Sequence, residues 1–259
     1  MNAKIRFAPF LGILATSLVM NLAAAETVGL PAPDENNAGA FKSQKHFSPY
    51  AGRNFATEVY WGDTHLHTGM SFDAGSFGAR LLPRDAYRFA RGEEITSSTG
   101  LQVKLSKPLD FLVVADHSDN MGWFPELFDG NPEMLANPTV KRWYEMVNEG
   151  GQTAVAAAIE IIEAFSQGTF PMETASVPGT STYSGAWKTA IDAAEEFNDP
   201  GVFTAFIGYE WTSNAGGDNL HRVVVYRDGG QKASMMEPYT TLEPVGSPDP
   251  RDLWKWMQS

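Results

Sequence analysis

The sequence predicts an α/β domain with largely parallel strands, and three observations carry that expectation. Residues 111–115 and 202–208 are short, continuous apolar runs, the pattern of strands buried on both faces. Longer stretches with helical spacing of apolar residues lie between them, the alternation of an α/β arrangement. Asp, His or Glu stand where the strands end, the place at which α/β barrels and open parallel sheets gather reactive groups.

The elements follow in chain order. Lys4 and Arg6 precede an apolar run and then small residues up to Ala25, the layout of a secretory signal peptide over residues 1–25. The apolar run falls short of the roughly 20 residues that a spanning helix needs. A cleaved signal is therefore expected rather than an anchor, and with it a soluble chain in the periplasm or outside the cell. Residues 26–56, rich in Pro, Ala, Asn and Gly, read as an irregular arm, with His46 as a surface histidine. Val59-Tyr60-Trp61 is a β-prone run ending at Gly62-Asp63. A helix is expected from Pro83 to about Gly92, then loop or extended structure over 93–108. The loop 119–136 carries Trp123, Phe124, Pro125 and Phe128, which either wall a pocket beside His117 or pack beneath the loop. Helices are expected near 138–148, 152–166 and 186–197. In the second, Ala154, Val155, Ala158, Ile159, Ile162 and Phe165 recur at the spacing of a core-facing stripe. A strand over 222–226 closes the series.

Charge and cysteine content narrow the function. The formal charge is −12, and loss of residues 1–25 would remove Lys4 and Arg6 and no acid, making it more negative still. Nucleic acid, which needs Lys/Arg-rich surfaces, is excluded as a partner. The chain has no cysteine, so a large apolar core rather than disulfides must hold it together. Any metal site must use nitrogen and oxygen ligands, which suits Zn, Mn or Fe.

The polar residues at the strand ends form a pattern. His65 and His67 come after the first strand, Asp116 and His117 after the second and Glu210 after the third, while His221 opens the fourth. Side chains two apart in extended chain point the same way, so His65 and His67 can grip one ion. A single histidine of this kind is ordinarily structural; the repetition across strands points to metal.

The residues now carry a family resemblance. The run from Asp63 to Gly75, with Thr64-His65-Leu66-His67 and Asp73 inside it, resembles the first motif of the polymerase-and-histidinol-phosphatase (PHP) superfamily. Ala115-Asp116-His117 resembles the second. Gly208-Tyr209-Glu210 and the stretch from His221 to Tyr226 resemble the glutamate motif and the histidine that starts the next strand. The wording Tyr60-Trp61-Gly62-Asp63-Thr64-His65, Ala115-Asp116-His117-Ser118-Asp119 and Gly208-Tyr209-Glu210-Trp211-Thr212 is similar to the exported DUF3604 branch, from residue 57 to the end. The resemblance implies a distorted (β/α)7 barrel with two or three divalent metal ions. His65 and His67 would hold one ion with Asp73 nearby, His117 another, Glu210 would bridge two, and His221 would be a further ligand. Glu210 and Asp116 are the carboxylates expected to serve catalysis, Asp116 and Asp63 by orienting histidines. PHP sites are completed by later histidines, and none follows His221. The expectation is thus an incomplete barrel, residues 57–259 being the N-terminal part of such a domain in a chain cut short at its C-terminus.

The function so implied is exported, metal-dependent hydrolysis of a small-molecule phosphate ester by metal-activated water. Arg80 is the preferred additional cation over Arg222. A sulfate-ester hydrolase uses similar metals, and a non-catalytic metal-binding module or inactive fragment is the rival of another class. A second copy covering the open sheet edge is a further expectation.

Overall fold

The computed structural model describes residues 58–214 and 219–259. The signal segment 1–25, the arm 26–56 and His46 lie outside the described residues.

Three parallel strands form the central sheet in the order β1 (Gly62–Leu66), β4 (Phe111–Val114), β5 (Thr204–Phe206). Phe111 pairs with Gly62 on one side and with Thr204 on the other. The apolar run in β4 is buried on both faces, with Leu112, Val113, Val114 and Ala115 nearly inaccessible. Past Ile207 the chain continues as β6 (Gly208–Ser213), which turns back antiparallel as β7 (Leu220–Val225). A parallel bridge between His117 and Glu210 ties β6 to the extension of β4. A small antiparallel pair, β2 (Ile95–Thr96) with β3 (Gln102–Val103), occupies the predicted loop 93–108.

This is the expected α/β arrangement with a parallel sheet. No closed barrel forms among the described residues. Two of the strand readings shift. The first strand begins at Gly62 rather than Val59, so His65 lies inside it and His67 just past it; Val59, Tyr60 and Trp61 stay largely exposed. The strand expected at 202–208 splits into β5 and the longer β6.

Helices cover the sheet where the sequence caps them. The helix α1 (Phe72–Ser76) follows β1 directly. In α2 (Pro83–Ala90), Pro83 occupies the first turn, where its missing N–H costs nothing, and Asp85 accepts the Leu82 N–H. Tyr87 of α2 donates to the Phe206 carbonyl at 3.0 Å, pinning helix to sheet. The predicted loop 119–136 instead contains the short helices α3 (Trp123–Phe128) and α4 (Pro132–Leu135). The helices α5 (Pro138–Glu149) and α6 (Gly151–Ser166) match their predicted spans closely. The last of the three expected helices is longer than read, as α7 (Ser181–Phe197), because Thr180 caps it six residues before the predicted start. The short α8 (Gly230–Ala233) and α9 (Pro250–Gln258) complete the described fold. No helix of the described residues is long and apolar enough to cross a membrane.

Two apolar cores result. One joins Leu112, Val114, Tyr87, Trp187, Phe197 and Trp211 between the sheet and α2 and α7. The other is aromatic and joins Phe72, Trp123, Phe124, Trp143 and Phe170 beneath α3, α5 and α6. The loop aromatics Trp123 and Phe124 therefore pack as core and form no pocket wall. On α6 the predicted stripe is half right. Ala158 is buried, but Val155 and Ile159 are 47% and 49% exposed, and Ala157 and Ile161 take the buried places.

Gly208 marks the close approach that aims β6. A Cβ there would sit 2.5 Å from Val113 Cγ1 and 2.9 Å from the Val224 carbonyl oxygen. Gly208→Ala is expected to cost ~1–3 kcal/mol in urea unfolding, because β4 and β7 must part to admit the methyl group. A cost below about 0.5 kcal/mol would show that the strands give way freely.

Candidate metal centre

The centre is assembled by strand geometry. His65 in β1 and His67 beyond it share one direction, and their rings lie 5.0 Å apart. Ala115 N–H donates to the Leu66 carbonyl at 2.7 Å, which brings the end of β4 and its His117 alongside. Next, Glu210 N–H donates to the Asp116 carbonyl and Ser118 N–H to the Glu210 carbonyl, at 2.9 and 2.8 Å, placing Glu210 beside His117. Finally His221 on β7 stands opposite Thr212, two residues along β6 from Glu210 and on the same face.

Glu210 is the hub. It is fully buried, and four imidazoles converge on its carboxylate. His65 Nε2, His67 Nε2 and His117 Nδ1 lie 3.1, 3.0 and 3.3 Å from Oε2, and His221 Nδ1 lies 2.6 Å from Oε1. Asp73, in the first turn of α1, closes the other side. Its oxygens meet His67 Nδ1 at 2.9 and 3.0 Å, and Oδ2 is 3.6 Å from His117 Nε2. Three donor groups follow, each with ligand atoms within 4.8 Å of one another: His65, His67 and Glu210; His67, Asp73 and His117; His117, Glu210 and His221.

The donors fit a metal on a structural observation. Both Glu210 oxygens and His67 Nε2 are buried without a hydrogen-bond partner, although imidazole nitrogens stand close by. Buried polar atoms are nearly always satisfied, and three nitrogens crowding one oxygen cannot all donate to it. A cation between nitrogen lone pairs and carboxylate oxygens satisfies them together, and an all-N/O set of this kind suits Zn, Mn or Fe.

All six residues read from the sequence as ligands, His65, His67, Asp73, His117, Glu210 and His221, thus meet in one cluster. Asp116 does not join it. Its buried carboxylate accepts both the backbone N–H and the hydroxyl of Thr68, so it holds the chain after His67 and touches no imidazole. Burial raises its pKa to about 6 against the opposing pull of those two bonds. Asp63 likewise accepts the backbone N–H of His65, at 2.8 Å, rather than a ring N–H. The expectation that these two aspartates orient histidine rings is corrected accordingly: each acts on the main chain. Arg80 is no added cation either, since its guanidinium lies over the Phe128 ring at 3.2 Å.

Three side chains not singled out from the sequence support the centre. The Ser71 hydroxyl donates to Asp73 Oδ1 at 2.6 Å, lies 3.1 Å from His67 Nδ1 and accepts the His117 N–H. Thr212 Oγ1 lies 3.1 Å from His221 Nδ1. Buried Asp119 accepts the hydroxyls of Thr240 and Thr241 and the Thr241 N–H, fastening a distant loop against the centre. Thr212 had a readable signal, its two-residue spacing from Glu210. Asp119 stood in the second motif, but its contact was not readable, because its partners lie more than 120 positions away.

A cleft of about 280 Å³ opens beside Asp73, His117 and His221. Phe72, Ile162 and Phe165 form one side of it, and Thr212, Asn214 and Asn219 another.

Without metal, protons do the work of cations. Burial alone would push the His67 imidazolium down, but Asp73 and Glu210 outweigh it and hold its pKa at about 10. Burial would raise Glu210, yet the His67, His117 and His65 contacts bring it down to about 2. Asp73 is held far below the carboxylate range by His117 and His67, against its own burial. The sign follows from linkage. A raised His67 stabilises the metal-free fold fully below its unfolded pKa of about 6.5, and this is lost as pH rises through about 10. A depressed Glu210 stabilises above its unfolded pKa of about 4.5, and this is lost as pH falls through about 2. Metal binding at neutral pH is therefore expected to displace the His67 proton. Metal titrations in two buffers of different ionisation enthalpy are expected to show about one proton released at pH 7 and tighter binding at higher pH. Binding without proton release would mean that His67 is neutral in the metal-free protein.

Comparison with known proteins gives one match. The model of the family described as "Protein of unknown function (DUF3604)" matches residues 54–259. No curated protein and no solved structure matches the chain.

Proposed function

The chain belongs to the DUF3604 family, and from that premise we propose that it is a metal-dependent hydrolase of phosphate esters, built on the plan of the PHP superfamily. The observation that carries this reading is Glu210, a fully buried carboxylate with both oxygens unsatisfied amid four imidazoles. A carboxylate buried in that state needs a counter-charge, which a protonated His67 supplies in the metal-free chain and a bound cation would supply to all four imidazole contacts at once.

Divalent ions held here would act as Lewis acids and lower the pKa of a coordinated water towards neutrality. The chain's own residues supply the rest. Glu210 sets the spacing of the histidines by reaching His65, His67 and His117 through Oε2 and His221 through Oε1. Ser71 holds Asp73 and the His117 main chain, which keeps the donors preorganised. At the mouth of the cleft, the amides of Asn214 and Asn219 provide neutral hydrogen-bond partners for the non-reacting ester oxygens. The same reading takes residues 1–25 as an export signal, makes the strand-end ligands part of a PHP-type barrel wall, and leaves the exposed edge of β1 to a second copy of the chain.

A sulfate ester is a second reading, favoured by one observation. No Lys or Arg is found among the described residues that line the cleft, so a monoanion needs less compensation there than a dianion. The test is turnover of 4-nitrophenyl phosphate and 4-nitrophenyl sulfate by protein loaded with Zn²⁺, Mn²⁺ or Fe²⁺. Phosphate turnover that a chelator abolishes is the expected result, and sulfate turnover alone would transfer the assignment. Bound metal with turnover of neither ester would reduce the protein to a metal-binding module.

A further inference from the structure

Beside the centre, one side of the cleft is apolar and rigid. Phe72 is buried, and its ring meets those of Phe165, Phe124 and Trp123 at centroid distances of 5.1, 5.4 and 6.0 Å. Phe165 in turn packs on Phe170 at 5.9 Å, so the ring presented to the cleft is backed by the aromatic core. Ile162 stands one helical turn before it on α6 and lines the same space. Apolar side chains left half-buried at the rim of a polar, metal-ligating cluster lose contact with water only when a ligand covers them.

The charge of the cleft is equally one-sided. Asp73 and Asp119 line it, its other polar residues are two neutral amides, two hydroxyls and two histidines, and no Lys or Arg among the described lining residues offsets them. Arg222 is turned elsewhere, donating to the His221 carbonyl at 2.7 Å. An acidic group on the organic arm of a substrate would be pressed against the apolar side with no cationic side chain to meet it.

We propose that Phe72, Ile162 and Phe165 form the recognition wall for an apolar, uncharged organic arm of the substrate, aryl or branched alkyl, with the ester group directed at the histidine–Glu210 cluster. This deepens the ester-hydrolase reading and rests on it. It favours arylated or branched-alkyl esters over sugar, carboxylate-bearing or polyphosphate ones.

The wall is tested by binding rather than turnover, with hydrolytically inert phosphonates titrated calorimetrically into the Mn²⁺-loaded protein. Phenylphosphonate is expected to bind roughly tenfold or more tightly than methylphosphonate, the ratio that burying a ring against such a wall gives. 4-Carboxyphenylphosphonate is expected to lose most of that gain. Ile162→Ala and Phe165→Leu should shrink the phenyl-to-methyl ratio at unchanged metal content, and Ile159→Ala, on an exposed position of the same helix, should leave it intact. Equal binding of phenyl and methyl probes, a ratio untouched by both wall variants, or full affinity for the carboxylated probe overturns the proposal. The outcome separates the two readings. A preserved ratio in a protein that hydrolyses no ester refutes the hydrolase and keeps the wall; equal turnover of methyl and phenyl esters refutes the wall and keeps the hydrolase.

Discussion

Glu210→Gln is expected to empty the metal centre and end hydrolysis while leaving the fold in place. The carboxylate carries the negative charge that four imidazoles share, and the amide that replaces it is nearly the same size. Packing in this fully buried position is therefore kept. The carboxamide can donate to neutral imidazoles, so the metal-free variant loses a charge pair but gains hydrogen bonds for groups that now lack them. Metal binding has no such substitute, because a neutral amide is a poor ligand and cannot balance a divalent charge. Residues that merely orient ligands cost about 10–100-fold in metal affinity when changed, and a shared ligand is expected to exceed that range. Elemental analysis after dialysis, with turnover of an aryl phosphate, reads the result. Metal content and turnover both equal to the parent protein would remove Glu210 from the bridging role.

Metal is expected to stabilise the protein strongly, and most of the stabilisation is expected to be lost in a His65→Ala/His67→Ala variant. An ion that binds only the folded chain at about 100 times its Kd adds about 2.7 kcal/mol. For a domain of this size each kcal/mol moves Tm by about 2–4 °C, so a rise of about 5–10 °C is expected on loading. In the double variant the group formed by His65, His67 and Glu210 disappears, and the group around Asp73 loses His67 as well. Only His117, Glu210 and His221 then remain as a potential site. A calorimetric scan with and without chelator measures both proteins. Equal Tm shifts in parent and variant would place the stabilising ion elsewhere.

The divide between what was legible and what was not runs between local and long-range geometry. The buried strand at 111–115 was legible because an unbroken apolar run of that length has few other uses. The helix at Pro83 was legible because Pro suits a first helical turn, and in the structure Asp85 adds a cap that the sequence reading did not use. Five of the six candidate ligands were legible because strand ends gather reactive groups, whichever strands pair; Asp73, in α1, was read only from the family resemblance. The α6 stripe was read one position out of phase in part, since the helix presents Ala157 and Ile161 to the aromatic core and frees Val155 and Ile159. Alanine-rich helices leave that choice to the neighbours they meet.

The sequence by itself determined the inventory: an acidic, cysteine-free α/β chain whose strand ends carry four histidines and a glutamate able to hold metal. Spacing suffices for that, because side-chain direction along a strand or helix repeats over a few residues. Tertiary structure alone decided that the four rings meet on one carboxylate, that Asp116 serves Thr68, and that Phe72 and α6 rather than the aromatics of the 119–136 loop form the apolar side of the cleft. Those contacts join residues tens to more than a hundred positions apart. Their geometry is set by how helices and strands pack around two cores, which no local periodicity encodes.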